Sequence, residues 1–344
     1  MDGVTDHPFR FIQKKYGNPS VVITEFTSVE GVCHGASQLL KDFQFDESQR
    51  PIVAQIYGTT PDFFRQTAII LCELGFDGID INMGCPAKNV AHSGAGAALI
   101  QTPALAQDII RATQQGISEW KNGASLDQCP DIVTKIKEHV QSRHDSVPEA
   151  YKDRERIIPV SVKTRIGYSE PVVEEWIPTL LEMNVANISL HGRTLKQHYS
   201  GQANWEIIGK AAEICKKHDT LILGNGDVSS YQDALDKIST YGVDGVLIGR
   251  ASMGDPFVFE NGQVTDKSIY QVAVEHCQLF EQNYSHLENY SFLPMRKHLG
   301  WYVKSVPFAS EIRVKLFQTN TAQEVEQILA KYQLLKISST TGMV

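Results

Sequence analysis

The sequence has no paired cysteine spacing, no long apolar run and no excess of positive charge, and each absence removes a class of protein. Its six cysteines, at 33, 72, 85, 129, 215 and 277, lie thirteen or more residues apart. No Cys-x-x-Cys or His-x-x-x-His spacing occurs, so neither a disulfide scaffold nor a metal site is expected, and a reducing cytoplasm fits best. The longest apolar runs resemble Ala68–Cys72, far short of the roughly 20 residues of a membrane-spanning helix. The opening MDGVTDHPFR has neither a basic flank nor an apolar run, so no secretory signal is expected. A net charge of −8 argues against a protein held to nucleic acid by overall charge. One local exception is 294–316, where Arg296, Lys297, Lys304, Arg313 and Lys315 face only Glu311.

What is present is an ordinary globular composition, 42% hydrophobic and 21% charged, over 344 residues. That length allows one large domain and a smaller one. Short β-branched runs at Val21–Phe26, Ile52–Tyr57, Gly78–Met83, Ile158–Lys163, Ala186–His191, Leu221–Asn225 and Gly245–Gly249 read as strands covered on both faces. Helical stretches separate them. In one, Thr60 can cap, Pro61 suits the first turn, Phe64, Ala68 and Leu71 share a face, and Gly75 stops the helix. Such alternation predicts a parallel sheet. The interval from Gly78 to Ile158 is too long for one unit, and its polar middle, about 119–156, reads as an insertion.

A (β/α)8 barrel of about 250 residues would end near Gly254 and leave a helical remainder, with helices over 268–285, 294–305 and 321–332. The expected domains are therefore 1–260, a TIM barrel, and 261–344, α-helical. The strand missing from the count is the first, because MDGVTD stands where a strand-end loop belongs. The chain as given is expected to lack most of that strand, unless another segment, such as part of 119–156, covers the gap.

Barrel enzymes work at the C-terminal ends of their strands. Gln55, Asn82, Lys163, Arg165, His191, Asn225 and Arg250 all fall there. Turn propensity explains the glycines between them but not this polar set. GNGDV (224–228) and IGRASMG (248–254) follow the last two strands, where barrels bind phosphate on backbone N–H groups. A strand-end lysine such as Lys163 meets either an internal ion pair or an anionic ligand. Cys85, in DINMGCPAKNV, sits in a Gly/Pro loop at the active end. Its thiol can donate a proton or, if activated, attack as thiolate.

DGVTDHPFR, QIYG, DINMGCPAKNV followed by GAGAALI, VKTRIG, HGRT, GNGDV and IGRASMGDPF, in this order, resemble the tRNA-dihydrouridine synthases. MRKHLGWYVKSVP resembles the helical domain of their bacterial branch, and the insertion is the main departure. The resemblance implies an FMN-bearing TIM barrel that uses NADPH to reduce the C5–C6 double bond of uridines in tRNA. It implies flavin contacts from Met1, Asp2, Gln55, Lys163 and His191. Asn225, Gly226, Asp227, Gly249 and Arg250 would hold the ribityl chain and phosphate. Cys85 would be the proton donor, Asn82 and Arg165 would hold the uracil, and Arg296 and Lys297 would meet tRNA. No membrane partner is implied. A monomer is expected, the sequence itself leaving the oligomeric state open. Two alternatives stand beside this reading: an FMN barrel of the dihydroorotate dehydrogenase type acting on a free pyrimidine, and a non-catalytic RNA-binding barrel.

Overall fold

Seven strands form one parallel sheet in strict chain order: β1 Val22–Ser28, β2 Ile52–Tyr57, β3 Gly78–Met83, β4 Val160–Arg165, β5 Asn187–His191, β6 Leu221–Asn225 and β7 Gly245–Leu247. They come from a computed structural model that describes residues 1–260 and 269–341, with side chains in the last helix described as far as Tyr332. Helices follow the strands, so the expected (β/α) pattern holds. The sheet curls as a barrel does but is open, because among the described residues β1 and β7 do not pair. Burial grades toward the opening. All six residues of β3 are buried, whereas the three of β7 are only half-buried. The expected β4 start at Ile158 moves to Val160, past Pro159, which has no N–H to give to a ladder.

The helix Pro61–Glu73 forms as expected, but its cap differs. Thr60 holds the N-cap position without a side-chain bond. Glu30 takes over, its Oε1 accepting the N–H groups of Thr59 at 2.7 Å and Thr60 at 3.2 Å. Gly75, at φ +74°, ends the helix in a conformation that favours glycine.

The polar insertion contains the helices Thr134–His144 and Glu149–Lys152. Arginines fasten it. Arg154 donates to the carbonyls of Trp120 and Ala124, and Arg156 to those of Phe76 and Tyr151. The Arg50 guanidinium lies 3.3 Å from the centre of the Tyr151 ring. Gly75, Phe76 and Arg50 immediately precede β3 and β2, so the end of the insertion sits at the entry end of those strands, while Asp131, earlier in it, bonds Gln66 on the helix after β2. It does not fill the opening between β1 and β7.

Beyond the strands stand helices Ile269–Tyr284, Leu293–Tyr302, Ala309–Leu316 and Ala322–Thr341. The third was not expected from the sequence: it is short and starts directly after Phe308, which adopts φ +60°. The expected start of this unit, 261–268, lies outside the described residues. Its apolar cluster includes Phe280, Leu299, Ile312 and Val325, and it also takes in Ile12 and Tyr16 from the first helix, His7–Gly17. Among the described residues no helix is long and apolar enough to cross a membrane.

Candidate active site

The register of the sheet sets the polar strand ends side by side. Gln55 is opposite Asp80, Asn82 opposite Lys163, Arg165 opposite His191, and His191 opposite Asn225. One hydrogen-bonded chain joins Asp80, Gln55 and Asn82. Buried Asp80 accepts from Ser161 Oγ at 2.6 Å and from Gln55 Nε2 at 2.7 Å. Gln55 Oε1 accepts from Asn82 Nδ2 at 2.9 Å, and Asn82 Oδ1 accepts from the N–H groups of Gly84 at 3.1 Å and Cys85 at 2.9 Å. The carboxylate of Asp80, which the sequence reading did not single out, thus orients an amide relay that fixes the Cys85 loop.

Cys85 packs with Val90 and Ala95, and Phe26 and Tyr57 lie against the cluster. Burial pushes its thiol pKa up. The N–H of Ala87 and the charges of Arg165 and Lys163 oppose this, and Asp2 adds to it. Among the described residues no imidazole hydrogen-bonds Cys85, and burial favours the protonated form of its thiol.

Lys163 is half-buried, and its ammonium has no hydrogen-bond or ion-pair partner among the described residues. Burial lowers its pKa to about 8, with Arg165 adding to the shift and Asp80 opposing it. Of the two readings of a strand-end lysine, no internal ion pair is seen among the described residues. His191 is lowered to about 2 by burial and by the positive charges of Lys163, Arg165 and Arg193. Burial and these charges favour its neutral imidazole.

Arg165 stitches loops together. Its Nε donates to Gly84 O at 2.7 Å, and its Nη1 to Thr194 O at 3.1 Å and His198 O at 3.2 Å. The loop after β5 then carries Tyr199, 62% exposed, whose ring centre lies 5.6 Å from the Arg250 guanidinium.

At the ends of β6 and β7, Asn225 Nδ2 donates to Leu247 O at 3.0 Å. Gly226 sits at φ +122°, where a Cβ would stand 2.5 Å from the Cβ of Ala203 and 3.0 Å from His191 Cδ2. The N–H groups of Gly226, Gly249 and Arg250 donate to no other described residue. The Asp227 carboxylate is held by Arg193 Nη2 at 2.7 Å, Arg250 Nη2 at 2.6 Å and the N–H of Ala203 at 2.8 Å. Burial raises its pKa, but these donors outweigh burial and the net shift is downward. Asp227 therefore positions Arg250, and its own carboxylate is already satisfied. Arg193, 2% exposed, is a second residue the sequence reading passed over. A buried arginine directly after a strand implies a carboxylate partner, and that signal was available in HGRT.

The first residues join the same rim. Met1 and Asp2 are exposed, and Met1 Sδ lies 3.5 Å from where a Cβ on Gly249 would stand. Lys297 donates to Gly3 O, which brings it to the rim as well. Arg296 is not brought there. Its Nε donates to Thr319 O at 3.2 Å and its Nη2 to Asn320 Oδ1 at 3.0 Å, both in the helical unit. Lys315 is paired with Glu311, which leaves the basic segment less open than its composition suggests.

The family model described as "Dihydrouridine synthase (Dus)" matches residues 1–119 and 114–338. A "Probable tRNA-dihydrouridine synthase" of Staphylococcus aureus (strain COL) is 33% identical over 340 residues, covering 97% of this chain and 91% of its own. A "Probable tRNA-dihydrouridine synthase 2" of Bacillus subtilis (strain 168) is also 33% identical over 340 residues, covering 97% of this chain and 92% of its own. Among solved structures, an Eimeria tenella DHODH in complex with ferulenol aligns over 74% of this chain and 63% of its own, at 14% identity and a TM-score of 0.41, a likeness too distant to bear on function.

Proposed function

The chain belongs to the dihydrouridine synthase family of flavin-dependent oxidoreductases, and from that premise we propose that it reduces the C5–C6 double bond of uridines in tRNA. In this reading NADPH reduces FMN, and Cys85 gives the proton to C5. The observation that carries the proposal is the buried Cys85, its backbone N–H held by the Asp80–Gln55–Asn82 relay, next to the strand that bears Lys163, which has no partner among the described residues.

The residues fit FMN. Lys163 lacks an anion and the neutral His191 stands two strand positions away in the ladder, which suits the polar edge of an isoalloxazine. The open N–H groups of Gly226, Gly249 and Arg250, with the guanidinium fixed by Asp227, suit a phosphate. Gln55, Met1 and Asp2 complete the wall, and Asn225 shapes the ribityl end. When bound, FMN supplies the hydride.

The protein's own part is acid catalysis and positioning. The Cys85 thiol holds its proton at neutral pH and releases it to the uracil carbon that carries the developing charge. Asn82 fixes the loop that aims the thiol. Arg165 joins that loop to 194–198, and its Nη2 remains for the uracil carbonyls. A tRNA uridine must leave its stack to enter, at a cost of a few kcal/mol. Phosphate contacts from the helical unit, in which we place Arg296 and Lys304, offset this cost. Residues 1–260 carry the chemistry in this division and 261–344 the docking.

The test is to isolate the protein, look for bound flavin, and incubate it with NADPH and tRNA lacking dihydrouridine. Dihydrouridine formed in tRNA supports the proposal. A yellow protein that instead oxidises dihydroorotate and leaves tRNA untouched sinks it in favour of a free-pyrimidine enzyme, and a colourless protein that binds tRNA points to the RNA-binding alternative.

A further inference from the structure

Three consecutive residues near the start of the chain, Gly3, Val4 and Thr5, each have a backbone group held by a charged side chain from a different element. Glu25 Oε1, on β1, accepts the N–H of Val4 at 2.8 Å. Arg10 Nη1, on the helix His7–Gly17, donates to Thr5 O at 2.6 Å. Lys297 Nζ, on the helix Leu293–Tyr302, donates to Gly3 O. Gly3 has φ +64°, and a Cβ there would lie 3.4 Å from the same ammonium.

The helix Leu293–Tyr302 also reaches the other side of the rim. Gly254, at φ +78°, meets the backbone of Trp301 so closely that no Cβ fits between them. Gly254 lies four residues beyond Arg250. The two clamped segments come together at Met1 and Gly249. A ring of contacts therefore runs from Lys297 through Gly3 and Met1 to Gly249, then through Gly254 back to Trp301. It spans the side of the sheet where β1 and β7 do not pair.

We propose that Lys297 is a positioning residue of the cofactor pocket: through the Gly3 carbonyl it fixes the 1–6 segment against the loop after β7 and closes the open side of the barrel. This inference rests on the FMN reading above. It gives the helical unit a role in holding the flavin besides docking tRNA. A charge-assisted bond to a backbone carbonyl sets the place of a chain segment, whereas a phosphate contact would leave that segment unchanged. By thermodynamic reciprocity, a polyanion that moves this helix changes the affinity for the flavin by the same factor as the flavin changes the affinity for the polyanion.

The experiment uses the full chain, stripped of flavin and titrated with FMN by flavin fluorescence. Lys297→Met is expected to weaken FMN binding about tenfold and to alter the visible circular dichroism of the bound flavin. Lys297→Arg restores both. At saturating FMN, Lys297→Met keeps its tRNA affinity within about twofold, while exposed Lys304→Ala lowers tRNA affinity and leaves FMN binding unchanged. Unchanged FMN affinity and spectrum in Lys297→Met, with weaker tRNA binding and a shallower salt dependence, overturn the proposal and make Lys297 a phosphate contact. If Lys297→Met does not fold, Lys297→Gln carries the same measurement. If the unaltered protein takes up no FMN, the functional reading falls together with this one. If it does and only the variant comparison fails, this one alone falls.

Discussion

A thiol that acts as an acid near neutral pH has to keep its proton until the substrate needs it, and burial favours this in Cys85, the proton donor we propose. Cys85→Ala is expected to slow uridine reduction by about 10²–10⁴-fold while FMN content and NADPH oxidation persist, measured as dihydrouridine formed against flavin reduced. An equal loss of all three would make Cys85 structural. The direction of its shift also fixes a pH profile. The active form is the protonated one and its pKa is raised, so the rate of tRNA reduction should stay level through neutral pH and fall only on the alkaline side of the ordinary thiol range. Lys163 behaves oppositely in sign. Its folded pKa, about 8, is depressed below the ordinary lysine value, so the ligand-free protein gains stability from this group as pH rises above about 8. FMN, which in the proposed site meets the charged ammonium, should bind with constant affinity below that pH and weaken by up to about tenfold per unit above it. Parallel denaturation and FMN titrations across this range check the pair. Affinity that rises with pH would remove Lys163 from the flavin contacts.

At the scale of elements, the sequence announced each strand because a parallel strand covered on both faces is mostly apolar, as in β3, which is buried along its whole length and carries Ile79, Ile81 and Met83. The strand-end residues were legible for the complementary reason: Gln55, Asn82, Lys163 and His191 are polar groups ending apolar runs. Asp80 was not legible, because it lies inside the run and its burial is supported by Ser161 and Gln55, distant in sequence. The cap of Pro61–Glu73 escaped for the same reason, since Glu30 comes from another unit. Composition marked the 119–156 insertion as polar but could not say that its arginines end on carbonyls at the entry end of β2 and β3. One carboxylate anchors it there. Glu73, 8% exposed, accepts from Trp120 Nε1 at 2.9 Å and meets His144 Nδ1 at 3.0 Å and Arg154 Nη2 at 3.4 Å. Glu73→Ala leaves the buried indole N–H without its acceptor and should cost about 1–3 kcal/mol of stability, read by urea denaturation. FMN affinity should not move, because the cofactor residues lie at the opposite end of the strands. A matching loss of FMN affinity would tie the insertion to the active site.

For the whole molecule, packing crosses the boundary suggested by sequence at 260. The helix His7–Gly17 belongs to both halves. Its Arg10 and Gln13 face the barrel, bonding Gln49, Thr5 O and Ser252 O, while Ile12, fully buried, and Tyr16 enter the apolar cluster of the C-terminal helices. Phe9 lies against His276 and His298 of that same unit, with ring centres 6.1 and 5.6 Å away. Removing residues 261–344 would expose these side chains, at roughly 1.5–3 kcal/mol for each fully buried apolar one. It would also remove Lys297 from Gly3, beside a sheet whose β1 and β7 edges are already unpaired. A chain ending at residue 260 is therefore expected to be poorly soluble and to retain no FMN. The intact chain should unfold in one transition, with flavin release and loss of helical circular dichroism coinciding on heating. Two separated transitions, or a soluble 1–260 fragment that binds FMN as the whole chain does, would show that the barrel stands without its helical unit.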